Sequence, residues 1–273
     1  MSGMESKIVS ALNLKFHPVA IIWSDEKPED SLQFKQGRWG CVMSLFANAA
    51  KGRTAVFDRE TFGCWGGGVG LGFGNRYLNV PGGIEEFYHF LSTGNNIWGM
   101  RRMVAEKMCN FVGNDLLNEA MHGERYMKSP ELVKKFVESL PIIDIPAKYV
   151  VFKPFKDVDL VKEEPVVIVF LANPDQLSAL VILANYGRGS FENVIIPYAA
   201  GCQTIGILPY REVKSENPRA VVGLTDISAR KNVRSQLGKD LFTFAVPLEM
   251  FKEMEDHVEG SFLRRETWNA LKE

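Results

Sequence analysis

What this 273-residue chain lacks narrows it first. No apolar run approaches the roughly 20 residues that span a bilayer; the longest, Val166 to Ala172, is a third of that. No excess of one charge is present. Thirty-two Lys and Arg against thirty-three Asp and Glu leave a formal charge of −1, which gives no global signature of a nucleic-acid binder. Cysteine is limited to four widely spread positions with no C-x-x-C pair, so no disulfide scaffold is expected and free, catalytic or metal-ligating thiols are favoured. The stretch Met1 to Phe16 carries Glu5, Lys7 and Lys15 and has no apolar secretory core. Short-period repeats, low-complexity tracts and long linkers are also missing. The expectation is a cytoplasmic protein that binds neither membrane nor nucleic acid.

What is present is ordinary globular material, 46% hydrophobic and 24% charged, with one unusual stretch. Thr61-Phe-Gly-Cys64-Trp-Gly-Gly-Gly-Val-Gly-Leu-Gly-Phe-Gly74 is half glycine and holds a thiol. Glycine costs chain entropy and is spent where backbone must turn at positive φ or be approached closely. The stretch therefore reads as a glycine-rich loop, one wall of a pocket around Cys64. Every register of G-x-G-x-x-G fails across it, because Leu71, Phe73 or Asn75 falls where the third glycine must stand. A nest of backbone N–H groups for an anion or a cluster stays open, beside the plainer reading of a glycine-rich packing crossover.

Along the chain, helices are expected over Glu5–Leu14, Cys41–Ala50, Ile84–Leu91, Trp98–Phe111, Asp115–Met121 and Pro130–Leu140. Ser129 caps the last of these, whose apolar face is Leu132, Phe136, Val137 and Leu140. Asn173-Pro-Asp-Gln176 is a complete helix-opening signal, with Asn173 as N-cap and Gln176 placed for a capping box. Strands are expected at Pro18–Trp23, Arg53–Phe57, Tyr149–Phe152, Val166–Leu171, Asn193–Ile196, Val221–Leu224 and Leu241–Val246, with Asp226–Arg230 as a charged turn. A last helix opens at Pro247, and Phe262 to Leu271 closes the chain. The pattern is α/β or α+β, a mixed sheet with flanking helices. It forms either one integrated domain or two subdomains, 1–145 with Cys41 and the Cys64 glycines, and 146–273 with Cys202 and Arg230.

The chemistry concentrates on cysteine. Cys41, Cys64 and Cys202 each follow a glycine, whereas Cys109 reads as an ordinary buried thiol on a helix. Three thiolates can hold an iron–sulfur cluster of the 4Fe-4S kind with one iron left for another ligand. Gly63, Gly66, Gly67 and Gly68 would supply N–H donors beside it. Zinc is the weaker alternative, since His17, His89, His122 and His257 all lie far from any cysteine in sequence. Arg230 could clamp a carboxylate or phosphate, against an equally simple reading as a structural partner of Asp226. Trp39, Trp65, Phe73 and Tyr77 could wall the pocket or serve as core.

Taken together, Gly40-Cys41, Phe62 to Gly72, Ala172 to Ser178, Ala200-Gly-Cys202 and Asp226-Ile-Ser-Ala-Arg230 resemble a widespread prokaryotic family, domain of unknown function 169. The resemblance runs over nearly the whole chain, including Val258 to Leu263. It implies that the positions of Cys41, Cys64 and Cys202 are recurrent cysteines while Cys109 has no recurrent counterpart. Trp65 stands where proline is common in the family. No reaction comes with it.

Three functional expectations follow. One is an iron–sulfur oxidoreductase or lyase, doing redox or Lewis-acid chemistry on a small anionic substrate held by Arg230 and glycine amides, with a redox partner. Another is a metal-free protein that binds a small molecule or anion in the glycine pocket. The third is a thiol enzyme using Cys64. A homodimer is the base-rate expectation.

Overall fold

The computed structural model describes residues 6–95 and 120–271. Seven strands form one sheet in the order β2-β3-β1-β4-β7-β6-β5. They are β1 (Val19–Ser24), β2 (Ala55–Phe57), β3 (Tyr149–Pro154), β4 (Pro165–Ala172), β5 (Val194–Ile195), β6 (Ala220–Gly223) and β7 (Phe242–Pro247). Every pairing is antiparallel except β5 with β6, so the sheet is mixed. The later strand β3 sits between β1 and β2, so the two halves of the chain share one sheet.

Side chains alternate across a pleated strand, and here both faces are apolar. On β4, Val167, Val169 and Leu171 enter one hydrophobic cluster, while Ile168, Phe170 and Ala172 enter another. That is why β4 reads as a continuous apolar run rather than an alternating one. The second face is covered by α1 (Lys7–Leu12), α6 (Pro174–Asn185), α10 (Leu248–His257) and α11 (Glu266–Ala270). The first face carries α2 (Val42–Ala50), α3 (Trp65–Gly70), α4 (Ile84–Leu91), α5 (Pro130–Ser139), α7 (Gly201–Ile205), α8 (Ile207–Val213) and α9 (Ile227–Leu237). The molecule is a three-layer α/β arrangement, and all three glycine-preceded cysteines lie in the layer on the first face.

Local signals place several elements as expected. Asn173 caps α6 in a reciprocal box with Gln176, and Ser129 caps α5 with Pro130 in the first turn. Three expectations are corrected. The glycine-rich loop is instead the short helix α3, capped by Cys64. The charged turn at Asp226 is the N-cap of the eleven-residue α9. In α5 Leu132 is 41% exposed and Val133 points inward in its place, beside Val137, Leu140 and the partly buried Phe136, which lie as expected. The helix expected at Trp98–Phe111, most of Asp115–Met121, and Cys109 lie outside the described residues.

Candidate functional site

Cysteine positions follow from helix entries. Cys41 is the N-cap of α2, Cys64 the N-cap of α3, and Cys202 lies in the first turn of α7. The backbones beside them touch. Gly63 has φ +81°, and a Cβ there would collide with the carbonyl of Gly40. The two Gly-Cys segments are therefore pressed together main chain to main chain. A Cβ at Gly70 would come within 2.8 Å of Cys202 Sγ, so α3 must be bare on that side for α7 to lie against it. Cys202 Sγ donates to the Gly66 carbonyl at 3.2 Å, and Cys64 Sγ accepts from the Gly67 N–H at 3.2 Å. Glycine in this stretch serves close packing, and that packing gathers the thiols.

All three cysteines line one cavity of about 350 Å³. Its wall is mostly apolar and includes the aromatic side chains of Trp39, Trp65, Tyr77, Phe87, Phe136 and Tyr198. Phe73, expected beside them, is a fully buried core residue instead. Polar groups come mainly from α9 and the segment before α5. Ser228 donates to Glu124 at 2.5 Å and lies 3.1 Å from the Tyr126 hydroxyl, while Lys231 and Asn232 lie on the rim. Asp226 spans two helix entries, accepting from Ala229 N–H at 2.7 Å and from Gly201 N–H at 2.6 Å. It thereby ties the start of α9 to the residue before Cys202.

The thiols share an electrostatic environment. Burial pushes Cys41 up to about 12, and the charge of Cys64 adds to the rise. Cys202 is raised well above its ordinary value, first by burial and then by Cys64 and Cys41. Cys64 is raised by burial, partly offset by the Gly67 amide. Without a cation all three remain protonated at neutral pH. This runs counter to a thiol nucleophile, which needs a depressed pKa and a base. Among the described residues no histidine lines the cavity.

Other expected site residues are placed differently. Of Gly63, Gly66, Gly67 and Gly68, only Gly66 lines the cavity; Gly67 and Gly68 pack against Val42 and Arg76. Arg230 is not among the lining residues. Its guanidinium donates to the carbonyls of Leu224 at 2.9 Å, Leu241 at 3.1 Å and Lys239, over the Phe242 ring. Those contacts hold the β6–α9 and α9–β7 connections together and leave Arg230 away from a cavity ligand. Gln203, Ser228 and Glu124 escaped the sequence reading. No spacing marks them: Gln203 and Ser228 reach the cavity through the packing of α7 and α9, and Glu124 through the segment before α5.

As a fit for metal, the donor set discriminates. Among the described residues no three His, Cys, Asp or Glu side chains come together as a single-ion site. With no histidine at the cavity, a Cys₃His zinc site lacks its fourth ligand. An iron–sulfur cluster places several irons and sulfides between its ligands, so its thiolates stand farther apart than those of one ion. Three thiols on one wall, an N–H donor to sulfur and an open side suit that larger group.

The model of one protein family, described as uncharacterised ArCR, domain of unknown function 169, matches residues 7–257. No curated protein and no solved structure matches the chain.

Proposed function

The chain belongs to the ArCR family, domain of unknown function 169, and from that premise we propose that it carries an iron–sulfur cluster on Cys41, Cys64 and Cys202. The cluster would face a small-molecule site in the aromatic cavity. The observation that supports this most is the shared wall. Thiols from three separate segments line one cavity, and those of Cys41 and Cys202 have their proton affinity raised first by burial and then by neighbouring cysteines. Such an arrangement is costly to ionise alone and becomes favourable when a cationic group neutralises it. Bound there, a cluster with only three cysteine ligands supplies an iron able to accept an electron or polarise a substrate oxygen.

This chain's own residues would do the rest. Aromatic walls exclude water, Gly67 N–H supports the Cys64 sulfur, and Asp226 holds the entry to α7 in register. Lys231 and Asn232 offer polar contacts at the rim. The anion clamp expected of Arg230 has no support in its contacts, so the ligand's charge is argued separately below.

Anaerobic reconstitution with ferrous iron and sulfide tests the proposal. A brown protein with matching iron and acid-labile sulfide is expected for the parent chain and for Cys109→Ser. Cys41→Ser, Cys64→Ser and Cys202→Ser should each lose most of it. A colourless, iron-free protein after reconstitution would sink the idea. The same cavity supports a second reading, a metal-free small-molecule binder, and that reading takes over in this event.

A further inference from the structure

Tyr77 is 2% exposed, yet it lines the cavity, and its hydroxyl stands beside Gly66, another lining residue. Its ring lies flat on Phe87, with centroids 3.9 Å apart and planes at 19°, which fixes where the hydroxyl sits. Gln203 controls the hydroxyl's proton. Its Oε1 accepts from the backbone N–H of Ala200 at 3.0 Å, and a backbone N–H can only donate. The amide nitrogen is therefore the atom at Tyr77, and it donates to the phenol oxygen at 2.9 Å. A phenol that accepts through that contact must spend its own proton elsewhere. Among the described residues no hydrogen-bond acceptor takes it. The open place beside it is the missing side chain of Gly66. A Cβ there would stand 3.7 Å from the Tyr77 oxygen and 4.0 Å from Cys64 Sγ.

We propose that Tyr77 is the hydrogen-bond donor that fixes a ligand's acceptor oxygen against the cysteine wall, and that the ligand is a small, planar, uncharged aryl carbonyl compound. This rests on the reading of the cavity as the ligand site. Planarity and an aryl body follow from the walls, whose lining includes the aromatic residues Trp39, Trp65, Phe87, Phe136 and Tyr198. A carbonyl without a carboxylate's negative charge follows from the polar lining, in which, among the described residues, the acidic Glu124 and Asp226 outnumber Lys231. A carbonyl oxygen, rather than a donor group, is what an uncommitted O–H selects. Gln203 is a positioning residue, acting only through the phenol.

Benzamide and toluene are the probes, titrated by tryptophan fluorescence against metal-free and iron-reconstituted protein. Benzamide should bind the parent chain more tightly than toluene in both forms. Tyr77→Phe should weaken benzamide by about 2–10-fold, the span of one neutral hydrogen bond, and leave toluene unchanged. Gln203→Glu keeps the acceptor for Ala200 but puts an acceptor at the phenol too, turning the Tyr77 proton away from the cavity. It should reproduce the loss of preference with Tyr77 intact. A benzamide-to-toluene ratio unmoved by both substitutions overturns the proposal, as does failure of benzamide to bind the parent chain. Iron content of the same samples reports on the cluster separately. A preference seen in iron-free protein that never loads iron sinks the cluster and keeps the Tyr77 assignment.

Discussion

Residue scale shows most clearly what separates a readable site from a buried one. The Gly-Cys setting marked Cys41, Cys64 and Cys202 because an expensive residue beside a reactive one is visible in a string of letters. Tyr77 and Gln203 carry no such mark, since their pairing depends on α7 lying across the end of α3. Arg230 shows the converse: a charged residue in a suggestive setting, engaged by three carbonyls in the fold. The thiols also make a pH prediction. Cys41 rises from an ordinary value of 9.0 to about 12 in the folded chain. A folded state that holds its proton more tightly than the unfolded state is favoured below the unfolded pKa and loses that advantage as pH climbs toward the folded one. Metal-free protein should therefore lose stability between about pH 9 and 12, read as a falling urea midpoint. Iron-loaded protein, whose thiols are already deprotonated, should show a flatter profile over the same range. Equal slopes for the two forms would contradict the assignment of these thiols to a cluster.

At the scale of elements, local signals succeeded where chain chemistry alone decides the structure. Asn173-Pro174-Gln176 specified the start of α6 because a cap, a preset φ and a reciprocal hydrogen bond all lie within four residues. Helix α3 was illegible for the opposite reason. Four of its six residues are glycine, each costing about 1 kcal/mol against alanine in a helix, and only packing against α7 and Val42 overrides that penalty. Asp226 was read as part of a turn, though an Asp ahead of a helical segment is equally an N-cap signal. Its double role gives a further test. Asp226→Ala removes the cap of α9 and the acceptor for Gly201, and one cap alone is worth about 0.5–2 kcal/mol. Chemical denaturation should show a loss at the upper end of that range or beyond it. Asp226→Asn should recover part of the loss, because its single side-chain oxygen serves one amide but not both. Full recovery by Asn would mean that the tie to Gly201 contributes nothing.

The whole molecule divides its labour between two sides of one sheet. Mixed α/β character was readable from apolar runs and caps, whereas the strand order was not. Placing β3 between β1 and β2 requires pairings between residues far apart in the chain that no local pattern encodes. The face opposite the cavity is pure packing, with Phe251 against Phe155 and Phe170 at 4.8 and 6.0 Å between ring centroids. Phe251→Ala should cost about 3–5 kcal/mol while leaving iron content per folded molecule unchanged after reconstitution. A proportional fall in iron would mean that the two faces are coupled through the sheet. No helix among the described residues is long and apolar enough to cross a membrane.

The pressing of Gly63 onto the Gly40 carbonyl, with Cys202 docked on Gly66 from the far side, has a consequence for biosynthesis. During translation Cys41 and Cys64 emerge early and Cys202 much later, after five of the seven strands. On the proposed three-thiol cluster, a ribosome-bound chain short of Cys202 would offer only two of the three ligands. Loading would then act as a checkpoint on completed synthesis, with a copy cut short before Cys202 left unable to seat the group fully.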